Sequence, residues 1–198
     1  MSIEASGSSL SARKRDAVQV ELARIANRIF IERGFNETTV DQLAEAAGVS
    51  KRTFFRYFPT KEDAVLGSGD LAGVLVADAL AARPAGEPAW TSLRHALQAI
   101  CMDGSETAER VAVVRMINDT PSLRARSSDK RLSWVTLLEP LVAAHLQPVD
   151  FTPDPRAAAL VGAALTCFEV ANRMWALADG AVPFADLLDD AMGAIAPI

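Results

Sequence analysis

Two cysteines, two histidines and one tyrosine are all that this 198-residue chain offers to thiol, imidazole and phenol chemistry. Cys101 and Cys167 stand far apart, with no neighbouring cysteine, which excludes a zinc-ligand spacing and a disulfide framework. Both lie in apolar helical contexts and read as reduced core residues of a cytoplasmic protein. His95 and Cys101 fall on different faces of one helix, and His145 lies near a helix C-terminus. No HExxH, GxSxG or phosphate-cradling glycine loop occurs. The chain is therefore not expected to be an enzyme, and no metal or cofactor is expected. No apolar run reaches about 18 residues, so no membrane span is expected. The segment MSIEASGSSLSARKR lacks the apolar centre of a signal peptide. Strand-like alternation is missing throughout, which leaves an all-α fold.

Half of the residues are hydrophobic, enough for a sizeable core, and the length admits one large or two small domains. A net charge of −5 argues at first against a nucleic-acid partner. The charge is uneven, however. Through Leu66 there are 10 Lys and Arg against 9 Asp and Glu, and beyond it 10 against 16. Any contact with DNA must depend on where individual cations sit. Arg13, Lys14 and Arg15 read as a basic arm before the first helix, suited to a phosphate backbone or a minor groove.

The most informative stretch is Thr39 to Lys61, TVDQLAEAAGVSKRTFFRYFPTK. Thr39 caps a helix and Gln42 completes a capping box. Val40, Leu43, Ala44 and Ala47 fall on one face, and Gly48 stands where a left-handed residue ends the helix. Ser50 caps a second helix through Lys51, Arg52, Thr53, Phe54, Phe55, Arg56, Tyr57 and Phe58, which Pro59 ends. Thr60 with Asp63 opens another. Two short helices around a glycine turn form a helix-turn-helix, which sets its second helix in the DNA major groove. Lys and Arg can donate to guanine O6 and N7, and a Thr methyl or aromatic edge can meet a thymine methyl. Asp41 cannot pair with a phosphate, so it reads as ordering nearby basic side chains. Arg56 reads as a solvated charge, and Phe54 and Phe58 as core.

With its F-x-x-T-T-V-D-Q-L-A from Phe35, A-G-V-S from Ala47 and T-F-F-R-Y-F-x-x-K from Thr53, the segment resembles the DNA-binding domain of TetR/AcrR repressors. The motif match covers about the N-terminal third, from Arg15 to Val65. The resemblance implies that Lys51, Arg52, Thr53 and Phe55 face base edges. It implies that Thr39, Tyr57 and Lys61 hold phosphates, and that Phe54 and Phe58 point into a small core. Family members often carry Tyr where Phe55 stands, so any base reading there must be apolar.

The expected organisation is a disordered tail over 1–12, a three-helix helix-turn-helix domain over 13–67, and a helical ligand-binding and dimerisation domain over 68–198. The first helix should run from about Ser11 to Arg33, with Val18, Leu22, Ile25, Ile29 and Phe30 inward. Further helices are expected from Asp70 to Arg83 (Ala-rich, with Leu71, Val74, Leu75 and Leu80), Ala89 to Met102, Glu106 to Asn118, Ser122 to Leu146, which Pro140 should kink or bring to its last turns, Pro155 to Asp179, and Pro183 to Ile195. The resemblance implies a small effector among the middle helices; candidate lining residues are Trp90, Leu97, Met116, Trp134, Phe168, Met174 and Trp175. Asn118, Arg115, Glu169 and Asn172 could supply its polar contacts. It also implies a homodimer through the last two long helices. The expected function is a ligand-responsive repressor that binds double-stranded DNA at a palindromic operator, with a hydrophobic effector and no membrane partner. The alternatives are an activator or effector-independent DNA-binding protein, and a helical enzyme or binding protein that uses the motif only as scaffold.

Overall fold

The computed structural model describes residues 4–100, 107–147 and 154–196; of residues 4–13, 68–70 and 107 it describes the backbone alone. Every regular element among the described residues is helical. The chain forms two compact units, Met1–Leu71 and Ala72–Ile198.

The first unit holds α1 (Glu4–Arg33), α2 (Val40–Ala46), α3 (Lys51–Tyr57) and α4 (Lys61–Leu66). Helix α1 begins seven residues before the expected start at Ser11, so part of the stretch read as a disordered tail is helical. Nothing between Glu4 and Ser11 is a proline, so no backbone donor is missing to stop the helix. Leu22, Ala23, Ala26 and Phe30 are its buried stripe. Val18, expected inward, is 42% exposed, while next to it the Gln19 amide donates to the Gly67 carbonyl at 3.5 Å. Helix α1 packs on α2 and α4, and α2 packs on α3. The core between them is aromatic. Phe30 meets Phe35 at 5.1 Å between ring centres, and Phe54 meets Phe58 at 5.3 Å. Gly67 ends α4 against this core: a Cβ there would fall 2.4 Å from the Phe58 ring and 2.6 Å from the Asp63 carbonyl oxygen.

The second unit holds most of α5 (Ser68–Ala81), then α6 (Ala89–Ala99), α7 (Thr107–Asp119), α8 (Pro121–Ala143), α9 (Pro155–Leu177) and α10 (Phe184–Gly193). Helix α9 is the hub, with α6, α7, α8 and α10 all packed on it. Small residues permit that. Ala157, Val161, Ala164, Cys167 and Ala171 are buried along α9, so four neighbours approach its backbone closely. Proline behaves as expected at both ends of the long pair: Pro155 opens α9 beside the Asp154 cap, and Pro140 lies three residues before α8 ends. Burial raises the Cys167 thiol above its ordinary value, in keeping with a reduced core cysteine. Cys101 lies outside the described residues. On α5 two of the large apolar residues face outward. Val74 and Leu75 are 48% and 52% exposed, while Gly73, Val76, Ala77 and Leu80 are buried. Gly73 decides this, because the Trp134 indole sits where its Cβ would be, 2.7 Å away. The stretch Lys61–Ala81 is also long and apolar enough, by length and composition, to cross a membrane, contrary to the expectation from uninterrupted runs. Asp70 and Asp78 interrupt it, and 47% of its apolar window is buried within the protein.

Polar staples hold the edges of the second unit. Glu87 pairs with Arg83 and accepts from the buried Ser92 hydroxyl at 2.7 Å. Arg94 on α6 makes a two-pronged pair with Asp189 on α10, and Gln98 donates to the same carboxylate at 2.9 Å. The Arg83 guanidinium, and then the Ser92 hydroxyl, hold the Glu87 carboxyl well below its ordinary value of 4.5, at about 2.

Two outcomes follow. Phe54→Ala, which empties a fully buried site, should lower stability by about 3–5 kcal/mol in chemical denaturation. Phe55→Ala, one residue along but 40% exposed, should change it by less than about 0.5 kcal/mol. For Glu87 the sign is that of a depressed carboxyl: its contribution is present above 4.5 and is lost as pH falls toward about 2. Glu87→Gln should therefore flatten part of the fall in melting temperature across that window, and an unchanged acid limb would show that the pair adds nothing.

Candidate nucleic-acid interface

Helices α2 and α3 have seven residues each, too short to persist alone in water. Caps and packing hold them instead. At α2 the Thr39 hydroxyl accepts from the Gln42 N–H at 3.3 Å, and the Gln42 side chain accepts from the Thr39 N–H at 2.8 Å, which is the expected capping box. Gly48 takes a φ of +65°, a conformation that costs glycine little, and turns the chain from α2 toward α3. At α3 the Ser50 hydroxyl accepts from the Thr53 N–H at 3.1 Å and donates to the Thr53 hydroxyl at 2.9 Å. Thr60 and Asp63 form the same reciprocal box at α4, with Asp63 buried.

Burial of Phe54 and Phe58 fixes how α3 is rotated about its axis. The opposite face then carries Lys51, Arg52, Phe55 and Arg56, all exposed. Thr53 and Tyr57 flank it, half-buried. Of the proposed base-reading residues, Lys51, Arg52 and Phe55 are thus brought together outward, with Thr53 at the border. Arg56, read as a solvated charge, is exposed. It stands one helical turn from Arg52, on the same side, and its guanidinium lies 5.3 Å from the Tyr57 ring centre. The i, i+4 spacing was the available signal.

The residues read as phosphate-holding are placed differently from one another. Tyr57 presents a hydroxyl with no hydrogen-bond partner among the described residues. The Thr39 hydroxyl already donates to Gln42 at 3.2 Å, so a phosphate would have to displace that bond. Lys61 is half-buried, and its ammonium donates to the carbonyls of Phe35 at 2.8 Å and Thr38 at 3.2 Å. It also sits 4.2 Å from the Phe35 ring centre. Two of its three N–H bonds therefore close the turn between α1 and α2, and one is left for DNA. Lys51 pairs with Asp41 across the motif at 2.9 Å, which is the ordering contact expected of Asp41. Arg52 has no side-chain partner among the described residues. The basic arm has a different form from the one expected: Arg13, Lys14 and Arg15 lie within α1.

The suggested effector-lining residues belong to the second unit. Trp90, Leu97 and Trp175 are buried in its core, Trp134 and Phe168 pack against that core, and Met116 is half-buried on α7. Met174 is exposed. Trp134, Phe168 and Phe184 form a chain of ring contacts of 6.4 and 5.4 Å. Three of the four polar candidates have structural partners. Arg115 bonds the Ala176 carbonyl and Asp179, Glu169 pairs with Arg131, and Asn172 donates to the Phe168 carbonyl. The Trp90 indole N–H is different: it is buried with no hydrogen-bond partner.

Comparison with known proteins agrees with this layout. A family model described as bacterial regulatory proteins, tetR family, matches residues 24–66. A second, described as the MftR C-terminal domain, matches residues 87–198. The chain is 31% identical over 178 residues to the helix-turn-helix transcriptional regulator TcmR of Streptomyces glaucescens, covering 86% of this chain and 78% of that protein. It is 30% identical over 169 residues to MftR of Mycobacterium tuberculosis, a proposed mycofactocin biosynthesis transcriptional regulator, covering 79% and 81%. Among solved structures it is similar to Thermus thermophilus FadR, a transcriptional repressor in complex with lauroyl-CoA. That match has a TM-score of 0.55 and 26% identity, and covers 89% of this chain and 92% of that one.

The two cations should separate on mutation. Arg52→Ala, at an exposed site, should leave stability within about 0.5 kcal/mol while lowering discrimination between DNA sequences by about 1–3 kcal/mol. Lys61→Met should lower the melting temperature and weaken binding to all sequences alike, reducing the salt slope by about one. A salt slope equal to the wild type's would leave Lys61 with its structural contact alone.

Proposed function

The chain belongs to the TetR family of bacterial DNA-binding transcriptional regulators and is not an enzyme; on that footing we propose that it represses transcription as a homodimer at a palindromic operator and is tuned by a small hydrophobic effector. The observation that carries the DNA reading is the single outward face of α3, where Lys51, Arg52 and Phe55 stand together on a helix whose rotation is set by core packing. Arg52 and Lys51 supply donors for guanine, and Phe55 an apolar edge for a thymine methyl. Thr53 borders this face with a methyl and a hydroxyl. Thr39, Tyr57 and the remaining Lys61 donor set the register on phosphates, and Arg56 joins them from the same side.

A second copy brings a second α3, and two such helices on successive major grooves read a two-fold site. The exposed Leu132 and Leu137 on α8 and Leu177 on α9, at 66%, 39% and 68%, are apolar surface that a partner helix pair would cover. In the second unit, Trp90, Leu97, Met116, Trp134, Phe168 and Trp175 favour an apolar effector body, and the unpaired Trp90 N–H favours one with a hydrogen-bond acceptor. The Thermus thermophilus FadR to which the chain is similar is solved in complex with lauroyl-CoA, an acyl chain with a polar head. Effector binding shifts DNA affinity only by its differential affinity for the two conformations, and α4, which leads directly into α5, is the route by which that difference reaches the DNA-binding unit. Such a regulator works in the cytoplasm.

Selection of genomic fragments by the purified protein at physiological salt, followed by footprinting, tests this directly. The expected result is a protected, two-fold-related site overlapping a promoter, released by an acyl-chain effector. Enrichment of no sequence would remove the operator reading, and protection upstream of a promoter with raised transcription would make the protein an activator.

A further inference from the structure

The Lys51–Asp41 pair joins a cation of the outward α3 face to an acidic side chain of α2. Asp41 stands in the first turn of α2 and Lys51 is the first residue of α3. Their charged atoms lie 2.9 Å apart, and both side chains stay accessible, at 67% and 54%. As a contribution to stability the pair is worth little, because solvent screens exposed ions. Its consequence lies in where the Lys51 ammonium is when DNA arrives.

An ammonium has three donors on a flexible stem, and a phosphate oxygen is the commonest acceptor on a duplex. Unrestrained, Lys51 at the start of α3 would swing to whichever phosphate came nearest, whatever the sequence. Asp41, 2.9 Å away, biases it instead. Beside that carboxylate the ammonium is half of a near-neutral pair, so its pull toward the negative backbone is weakened. A guanine edge is neutral and is read by the direction of N–H bonds rather than by net charge. Guanine O6 and N7 can take two N–H bonds while the third stays on Asp41.

Resting on the operator reading above, we propose that Asp41 is a specificity-determining positioning residue: it withholds Lys51 from phosphates and presents it to a base edge, so that the sequence discrimination of Lys51 depends on Asp41. Asp41 gains nothing from the backbone itself, since a carboxylate is repelled there. It therefore lowers affinity for DNA in general more than for the operator. Among the charged neighbours on the reading face, Arg52 and Arg56 are not held in this way by any acidic side chain among the described residues. The device acts on Lys51 alone.

The test is a double-mutant cycle on the full-length protein, with Asp41→Asn, Lys51→Met and the combined variant. Each is titrated against the selected operator and a scrambled duplex over a range of salt. Because Asp41 is exposed, Asp41→Asn should fold as the wild type does, with circular dichroism and melting as the check. The expected result for Asp41→Asn is affinity for the scrambled duplex about three- to tenfold higher, with a salt slope steeper by about 0.9, as for one added phosphate contact. Operator affinity should change less, so the specificity ratio falls. In the Lys51→Met background, Asp41→Asn should no longer change that ratio. Two results would overturn the inference while leaving the operator reading intact: an unchanged ratio in Asp41→Asn, or an equal fall with and without Lys51, which would mean that Asp41 acts on the DNA itself. Lack of any operator preference in the wild type would overturn both.

Discussion

A seven-residue helix cannot hold its own shape in water, and the DNA-binding unit is arranged around that fact. Helix α3 exists because Phe54 and Phe58 are fully buried and because Ser50 and Gly48 set its start. The same packing that keeps α3 folded decides which residues it exposes. Phe54 and Phe58 inward put Lys51, Arg52, Phe55 and Arg56 outward, with no freedom to rotate. Stability and recognition are therefore one arrangement seen from two sides. Lys61 extends it, since an ammonium bonded to the Phe35 and Thr38 carbonyls ties the turn before α2 to the start of α4.

The second unit meets a different demand with different chemistry. Four helices converge on α9, and its alanines and valine let them come close. Charged groups are kept at the margins, where Arg83 with Glu87 and Arg94 with Asp189 fasten one element to the next. Within this apolar body the Trp90 indole N–H is buried without an acceptor, which costs free energy.

Much of the first unit was legible from the chain because its signals are local. Thr39 with Gln42, Gly48, Ser50 and Thr60 with Asp63 each act within three residues, and each forms the cap or turn its spacing implies. The errors arose where burial depends on what lies across from a residue. Val18 has the right period for the α1 core but is 42% exposed, and on α5 it is Gly73, pressed by the Trp134 indole, that lies inward while Val74 and Leu75 lie outward. The structural contact of Lys61 was hidden for the same reason: its carbonyl partners lie 26 and 23 residues away. Arg56 is exposed as its reading as a solvated charge implies, and its one-turn spacing from Arg52 is visible in the sequence, but that both share the outward face follows only from the rotation of α3.

The central claim is that a preformed α3 reads the major groove, and methylation protection on the bound operator tests it most directly. Guanine N7 lies in the major groove and adenine N3 in the minor, so the two reactivities tell the grooves apart. Two clusters of protected guanine N7 are expected, about one helical turn apart and related by a two-fold axis, with the clusters weakened in Arg52→Ala. Protection confined to adenine N3, or N7 reactivity unchanged on a tightly bound duplex, would contradict it.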